Sequence, residues 1–350
     1  MPLLALNNKS ITMKKFFLSA FAVLFCMALG AQEFGLKTLR LEARGDYQRE
    51  YIDGDEVAGN SGFKGKFLNI RIDGNISKEF SYSYRQRLNK KNGDANFFDA
   101  TDWLYLAYTK NNWQLSAGKQ VVAIGGYEYD VAPIDLYACA EWWNMIPCYQ
   151  WGGTVAYMMN EGKDNLSFQL CESPFRGALD DDMFAYNLMW VGSHGWFSTI
   201  YSVNMVEYRP GKFVNYISLG NKFNMGKVSF EFDFMNRAAS GQAFFGKDYS
   251  VVGTLAWRPT EKLNLFGKAC YDVNETSTGK DYLVAPGTEI TRISAGVEYY
   301  PLKDARNDVR LHAVGAYSFG DNTNPAGALL DKQAYVTVGV TWRMNLLGFK

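Results

Sequence analysis

Apolar and polar residues alternate strictly over short stretches of this chain. Leu39, Leu41 and Ala43 alternate with Arg40, Glu42 and Arg44. Leu68, Ile70 and Ile72 alternate with Asn69, Arg71 and Asp73, and Phe80, Tyr82 and Tyr84 with Ser81, Ser83 and Arg85. Successive side chains on a strand point to opposite faces, so each stretch predicts a strand with one apolar and one polar face. Further strands are predicted over 102–109, 113–120, 151–159, 166–172, 184–191, 196–205, 213–223, 228–234, 249–257, 263–272, 290–299, 309–318 and 336–346. They recur about every 20 residues and run roughly 8–12 residues, the length of a tilted strand crossing a bilayer, and they number about sixteen.

The connections have a rhythm of their own. Counted from the first strand, the odd ones are long: Glu50–Gly62, Asn89–Ala100, Val121–Tyr149, Ser173–Met183, Ala238–Lys247, Asn274–Glu289 and Gly320–Gln333, with a short exception at Pro210-Gly211. The even ones are mostly tight, as at Gly74-Asn75, Asn111-Asn112, Gly192–Gly195, Asn224–Lys227 and Pro259–Lys262. Short turns at one end and long loops at the other mark an outer-membrane barrel, and a soluble sandwich has no need of that asymmetry. The fold expected is all-β: a closed antiparallel transmembrane barrel with apolar residues turned to lipid and polar ones to the lumen.

The stretch Val121–Tyr149 breaks the alternation. It is long, aromatic and too apolar for a solvated loop, which is the usual mark of a functional connection. As the third outer loop it is expected to fold inward and narrow a pore. Its carboxylates Glu128, Asp130, Asp135 and Glu141 either face a basic wall across that pore or anchor the loop to the barrel. Trp142 and Trp143 are expected to pack against the barrel rather than bind sugar.

Composition adds a destination. Met13-Lys14-Lys15 followed by the apolar run Phe16–Leu29 and the small residues Ala28-Leu29-Gly30 reads as a secretion signal. Residues 1–31 are assigned to it, with Met13 the natural start, and residues 32–350 to one barrel domain. The whole chain balances 36 basic against 36 acidic residues, which gives no reason to expect a nucleic-acid partner. Parity nevertheless turns a surplus of basic residues inward: Arg40, Arg44, Arg71, Arg85, Arg87, Arg258, Lys268, Arg292, Arg310 and Arg343, against Glu42, Asp73, Glu231, Asp233, Asp272 and Glu298. They fall on the first three and last five strands, which become neighbours when a barrel closes. They make either an anion-attracting wall or the Arg–Glu filling of any polar lumen.

Two motifs carry a family resemblance. Gly118-Lys119-Gln120 closes a strand ahead of the loop that contains Pro133 and ends near Glu141. Glu298-Tyr299-Tyr300-Pro301 is followed by Asn307-Asp308-Val309-Arg310-Leu311 and the final strand. In these the chain resembles the phosphate-selective porin O and P family of Gram-negative outer membranes. The resemblance implies a barrel of about sixteen strands, a homotrimer, and passage of small anions, phosphate among them, along a ladder of lumenal arginines and lysines.

The remaining chemistry is sparse. Cys139 and Cys148 are near enough in sequence to form a disulfide in an oxidising compartment, the alternative being free thiols packed in the loop. Cys171 and Cys270 lie on distant strands. Asp180-Asp181-Asp182 reads as a solvated outer-loop run. His194 and His312 are scattered, and no HExxH, G-x-S-x-G or P-loop sequence occurs, so no metal site, cofactor or enzyme is expected. The function expected is a passive porin for small anionic or neutral hydrophilic solutes, in contact with outer-membrane lipid and lipopolysaccharide. A barrel plugged by its own loop, with a structural or surface-binding role, is the alternative.

Overall fold

The computed structural model describes residues 35–90, 97–177, 182–277, 283–303 and 308–347. The stretch expected to be a secretion signal, residues 1–31, and Asp180, Asp181 and Asn307 lie outside them. Sixteen long strands follow one another: β1 (Gly35–Ile52), β2 (Gly62–Asn75), β3 (Phe80–Arg87), β4 (Thr101–Lys110), β5 (Trp113–Val121), β6 (Tyr149–Met159), β7 (Asp164–Glu172) and β8 (Phe184–His194), then β9 (Phe197–Arg209), β10 (Lys212–Met225), β11 (Val228–Ala239), β12 (Asp248–Thr260), β13 (Leu263–Asn274), β14 (Glu289–Lys303), β15 (Asp308–Asp321) and β16 (Gln333–Asn345). A two-residue strand, Asp55–Glu56, folds back on β1 within the first long connection.

Every neighbouring pair is antiparallel, and β16 returns to β1 in the register Gly45↔Val340, so the sheet closes on itself. Closure leaves no unpaired edge, which is what a sheet surrounded by hydrocarbon requires. The expected alternation is what separates the two faces. On β11, Phe232 is 37% exposed on the outside whereas its neighbour Asp233 is 5% exposed on the inside. Leu104, Leu106, Leu115, Leu188, Val203, Leu255 and Val338 lie on the same exposed outer face. The inner face holds Glu42, Arg44, Asn69, Arg85, Gln169, Asn187, Asn204, Lys268 and Asp272, all buried.

The turns at one end are short: 111–112, 195–196, 226–227 and 261–262. Those at the other end are long, 122–148 the longest, with the expected exception at Pro210-Gly211. One glycine is required where β4 and β5 approach each other closely. Gly118 on β5 has φ 133, and a Cβ there would sit 2.2 Å from the Leu104 carbonyl oxygen of β4.

Candidate functional site

The 122–148 segment is built from short pieces: α1 (Tyr127–Asp130), a 3-10 turn at Pro133–Asp135, and α2 (Glu141–Met145). Each piece is fastened to inner-face side chains far away in sequence. The entry runs past β7, β9 and β10. There the Ala123 N–H donates to Gln169 at 2.8 Å, the Gly125 N–H to Ser202 Oγ at 2.8 Å, and Asn204 donates to the Ala123 carbonyl at 2.8 Å. Gly126, at φ 110, has no side chain to cap α1, and Asp233 of β11 does so instead, accepting from the N–H groups of Tyr127 at 2.8 Å and Glu128 at 2.7 Å. Asp272 of β13 does the same for α2, accepting from Glu141 at 2.8 Å and Trp142 at 3.4 Å. Orphan N–H groups at both helix starts are thus met by carboxylates of the wall.

The cations of the last strands grip the middle of the segment. Asp135 is bridged by Arg310 at 2.7 Å and Arg343 at 2.6 Å. Burial alone would raise its carboxyl, but the two guanidiniums outweigh it and hold it below the usual carboxylate range. Lys268 pairs with Glu128. Arg44 donates to the carbonyls of Ile134 at 3.2 Å and Leu136 at 2.8 Å, and its guanidinium lies 4.5 Å from the Tyr137 ring centroid. Arg292 donates to the Cys139 carbonyl at 3.3 Å and to Gln333. Glu141 reaches the last long connection, where it accepts from the N–H groups of Ala328 at 3.0 Å and Leu329 at 2.9 Å. Asp130 alone of the four loop carboxylates is exposed.

The predicted wall therefore divides in two. Arg44, Lys268, Arg292, Arg310 and Arg343 hold the segment. Arg85 and Arg87 stand apart on β3 and share Asp102, at 3.2 Å and 2.7 Å. Arg71 pairs with Asp73 at 2.8 Å, Arg40 is half-buried beside it on β1, and Arg258 is exposed next to the short turn after β12. Glu128, Asp135 and Glu141, expected either to face the basic wall or to anchor the segment to the barrel, each have a donor within bonding distance. Cys139 and Cys148 are separate free thiols, not a disulfide. The carbonyl of Cys139 turns to Arg292 on β14, whereas that of Cys148 accepts from Val122 at 2.9 Å back at the start of the segment.

Asp102 escaped the parity reading. The register shifts between Arg85 and Gln86 opposite it, and that irregularity turns it to the inner face. The capping roles of Asp233 and Asp272 join residues more than a hundred positions apart, beyond the reach of local pattern.

Among the described residues, hydrogen bonds from the segment go to β1, β7, β9–β11 and β13–β16, and none goes to β2, β3 or β4. Space opens on that side. A cavity of about 1030 Å³ lies between Pro133 and Trp143 of the segment and Phe67, Arg87, Asp102 and Tyr149 of the wall. A second of about 500 Å³, lined again by Pro133, Trp143 and Tyr149, continues along Arg85, Trp103 and Gln120.

Comparison with known proteins agrees with this architecture. Residues 38–192 match the sequence profile described as phosphate-selective porin O and P. No curated protein sequence matches the chain. In fold it is similar to OmpT, an outer membrane protein of Vibrio cholerae, with TM-score 0.61 and 13% identity over 90% of this chain and 99% of that one. It is similar to an anion-selective porin from Comamonas acidovorans, with TM-score 0.59 and 11% identity over 89% and 99%. It is also similar to the outer membrane channel DcaP of Acinetobacter baumannii, with TM-score 0.61 and 11% identity over 90% and 99%. Through its first eight strands the chain thus matches the phosphate-selective porin O and P family, on the barrel fold of outer-membrane porins.

Proposed function

We infer that this protein is a passive diffusion channel in the outer membrane of a Gram-negative bacterium, passing small hydrophilic solutes with a preference for anions. The 122–148 segment folds into the lumen as the constriction, and solutes pass between it and β2–β6. One observation carries the reading: the segment is bonded to the wall from β7 round to β1 but not to β2–β4, and that open side presents a guanidinium whose counter-charge is hidden. Arg87 is 28% exposed at its side chain, while Asp102, which fixes it, is 4% exposed. Of this pair a passing solute meets mainly the positive group, and the same cavity sets Arg87, Lys90, Lys119 and Arg176 against Asp99, Asp102 and Glu172, a surplus of cations. In a narrow low-dielectric passage that asymmetry is magnified.

The match to the phosphate-selective porin family and the anion-selective porin among the structural relatives support the sign of the preference. A trimer form is described for OmpT, and a homotrimer bedded in lipid and lipopolysaccharide is our reading here. Residues 1–31 are, on the same reading, the secretion signal that delivers the chain. The test is single-channel recording of the refolded protein in a planar bilayer. Stepwise chloride-favouring currents are expected, and a barrel that inserts without conducting would leave only a plugged, structural role.

A further inference from the structure

Trp142 and Trp143 are adjacent yet placed differently. Trp142 is 2% exposed and stacked on Tyr129, with ring centroids 5.8 Å apart, inside the packing of the segment. Trp143 is half-buried and lines the cavities on the open side of the segment, as does Pro133. Across from them the wall is aromatic as well as basic. The Arg85 guanidinium lies 4.8 Å from the Trp103 ring centroid and that of Arg87 6.0 Å from Tyr149, and the Trp103 and Tyr149 rings are 6.2 Å apart. The partly exposed guanidinium of Arg87 and two rings, backed by the buried Arg85 and faced by a tryptophan, form a slot rather than a ring of point charges.

Such a slot discriminates by shape and charge together. A small round anion gains only the guanidinium. A neutral sugar gains stacking but leaves the cation unanswered. A solute with both a planar unsaturated ring and a carboxylate uses every wall at once, since guanidinium binds carboxylate in its plane and π-faces take a ring. We propose that the passage between Trp143 and the Arg85–Arg87–Trp103–Tyr149 wall is a binding subsite for aromatic carboxylates, for which this channel is selective. The proposal rests on the channel reading above and adds the solute class to it.

The test measures chloride current through single channels while benzoate, acetate, inorganic phosphate or maltose is added to one side. Benzoate is expected to interrupt the current at about tenfold lower concentration than acetate, the factor that one good stacking contact gives. Trp143→Ala should erase that difference in a channel that still conducts chloride, at equal or higher unit conductance because the passage loses an indole, and Trp143→Phe should restore it. Absence of any current would fell the channel reading itself. A conducting channel in which benzoate acts no better than acetate, or in which maltose or phosphate is the stronger blocker, would overturn the subsite alone.

Discussion

Replacing Asp135 by Asn tests whether wall cations fasten the 122–148 segment. The carboxylate takes two charge-assisted bonds, from Arg310 at 2.7 Å and Arg343 at 2.6 Å. Asn keeps the shape and one acceptor but loses the charge. Each charged hydrogen bond is worth about 1.5–3 kcal/mol and a neutral one about 1 kcal/mol. The Asp135 side chain is 24% exposed, so part of the difference is screened. Both guanidiniums also retain a second carboxylate, Glu298 at 3.1 Å for Arg310 and Glu42 at 3.6 Å for Arg343. A net loss of about 2 kcal/mol in attachment follows. At about 1.4 kcal/mol per decade, that raises the detached population of the turn about thirtyfold. The barrel wall itself is untouched. Single-channel traces should therefore become noisy, with brief excursions to higher conductance, while heat-resistant migration on a gel stays as in the parent. The chloride preference should rise, because two guanidiniums lose a counter-charge. Quiet traces with unchanged conductance and selectivity would refute the anchoring argument.

Three further outcomes are expected. Arg87→Ser should weaken chloride preference in a stably folded barrel, whereas adding Arg85→Ser should also lower thermal stability, since Arg85 is 2% exposed and Asp102 would then be buried without either partner; a double variant as stable as the single one would contradict the pairing. Deleting residues 127–143 removes α1, the turn and most contacts to β13–β16, so conductance should increase, and an equal or lower value would count against the segment as the constriction. Burial pushes the Cys139 thiol up to about 12 and that of Cys148 to about 11, so alkylating reagents should label neither at neutral pH until the protein is denatured, after which both should label without prior reduction. Mass spectrometry showing a disulfide-linked peptide would sink that expectation.

The barrel was legible because its two solvents impose one rule on every strand. Lipid outside and water inside enforce strict alternation, and the expected strand positions, the closure and even the short connection at Pro210-Gly211 follow from it. Parity also sorted Arg44, Lys268, Arg292, Arg310 and Arg343 onto the inner face. It could not say what they touch. Their partners are on the one segment without a period, and Asp135 meets Arg310 and Arg343 only after the barrel has closed. Trp142 and Trp143 look alike in sequence and diverge because the short helix α2 turns one into the packing and the other toward open space. Nearness in sequence misleads for Cys139 and Cys148, since α2 intervenes and the neighbours of each are on different strands. Asp102 was hidden by a register shift that no local pattern announces.

An anion-favouring passage between the 122–148 segment and β2–β6 would show itself in the reversal potential. Purified trimer or monomer is placed in a planar bilayer under a potassium chloride gradient, first near about 0.1 M and then near about 1 M, where the screening length falls from about 10 Å to about 3 Å. Chloride should be favoured over potassium at low salt, with the preference fading at high salt as the partly exposed Arg87 is screened. Potassium selectivity at low salt would contradict it and would transfer control of the field to the exposed carboxylate Asp130.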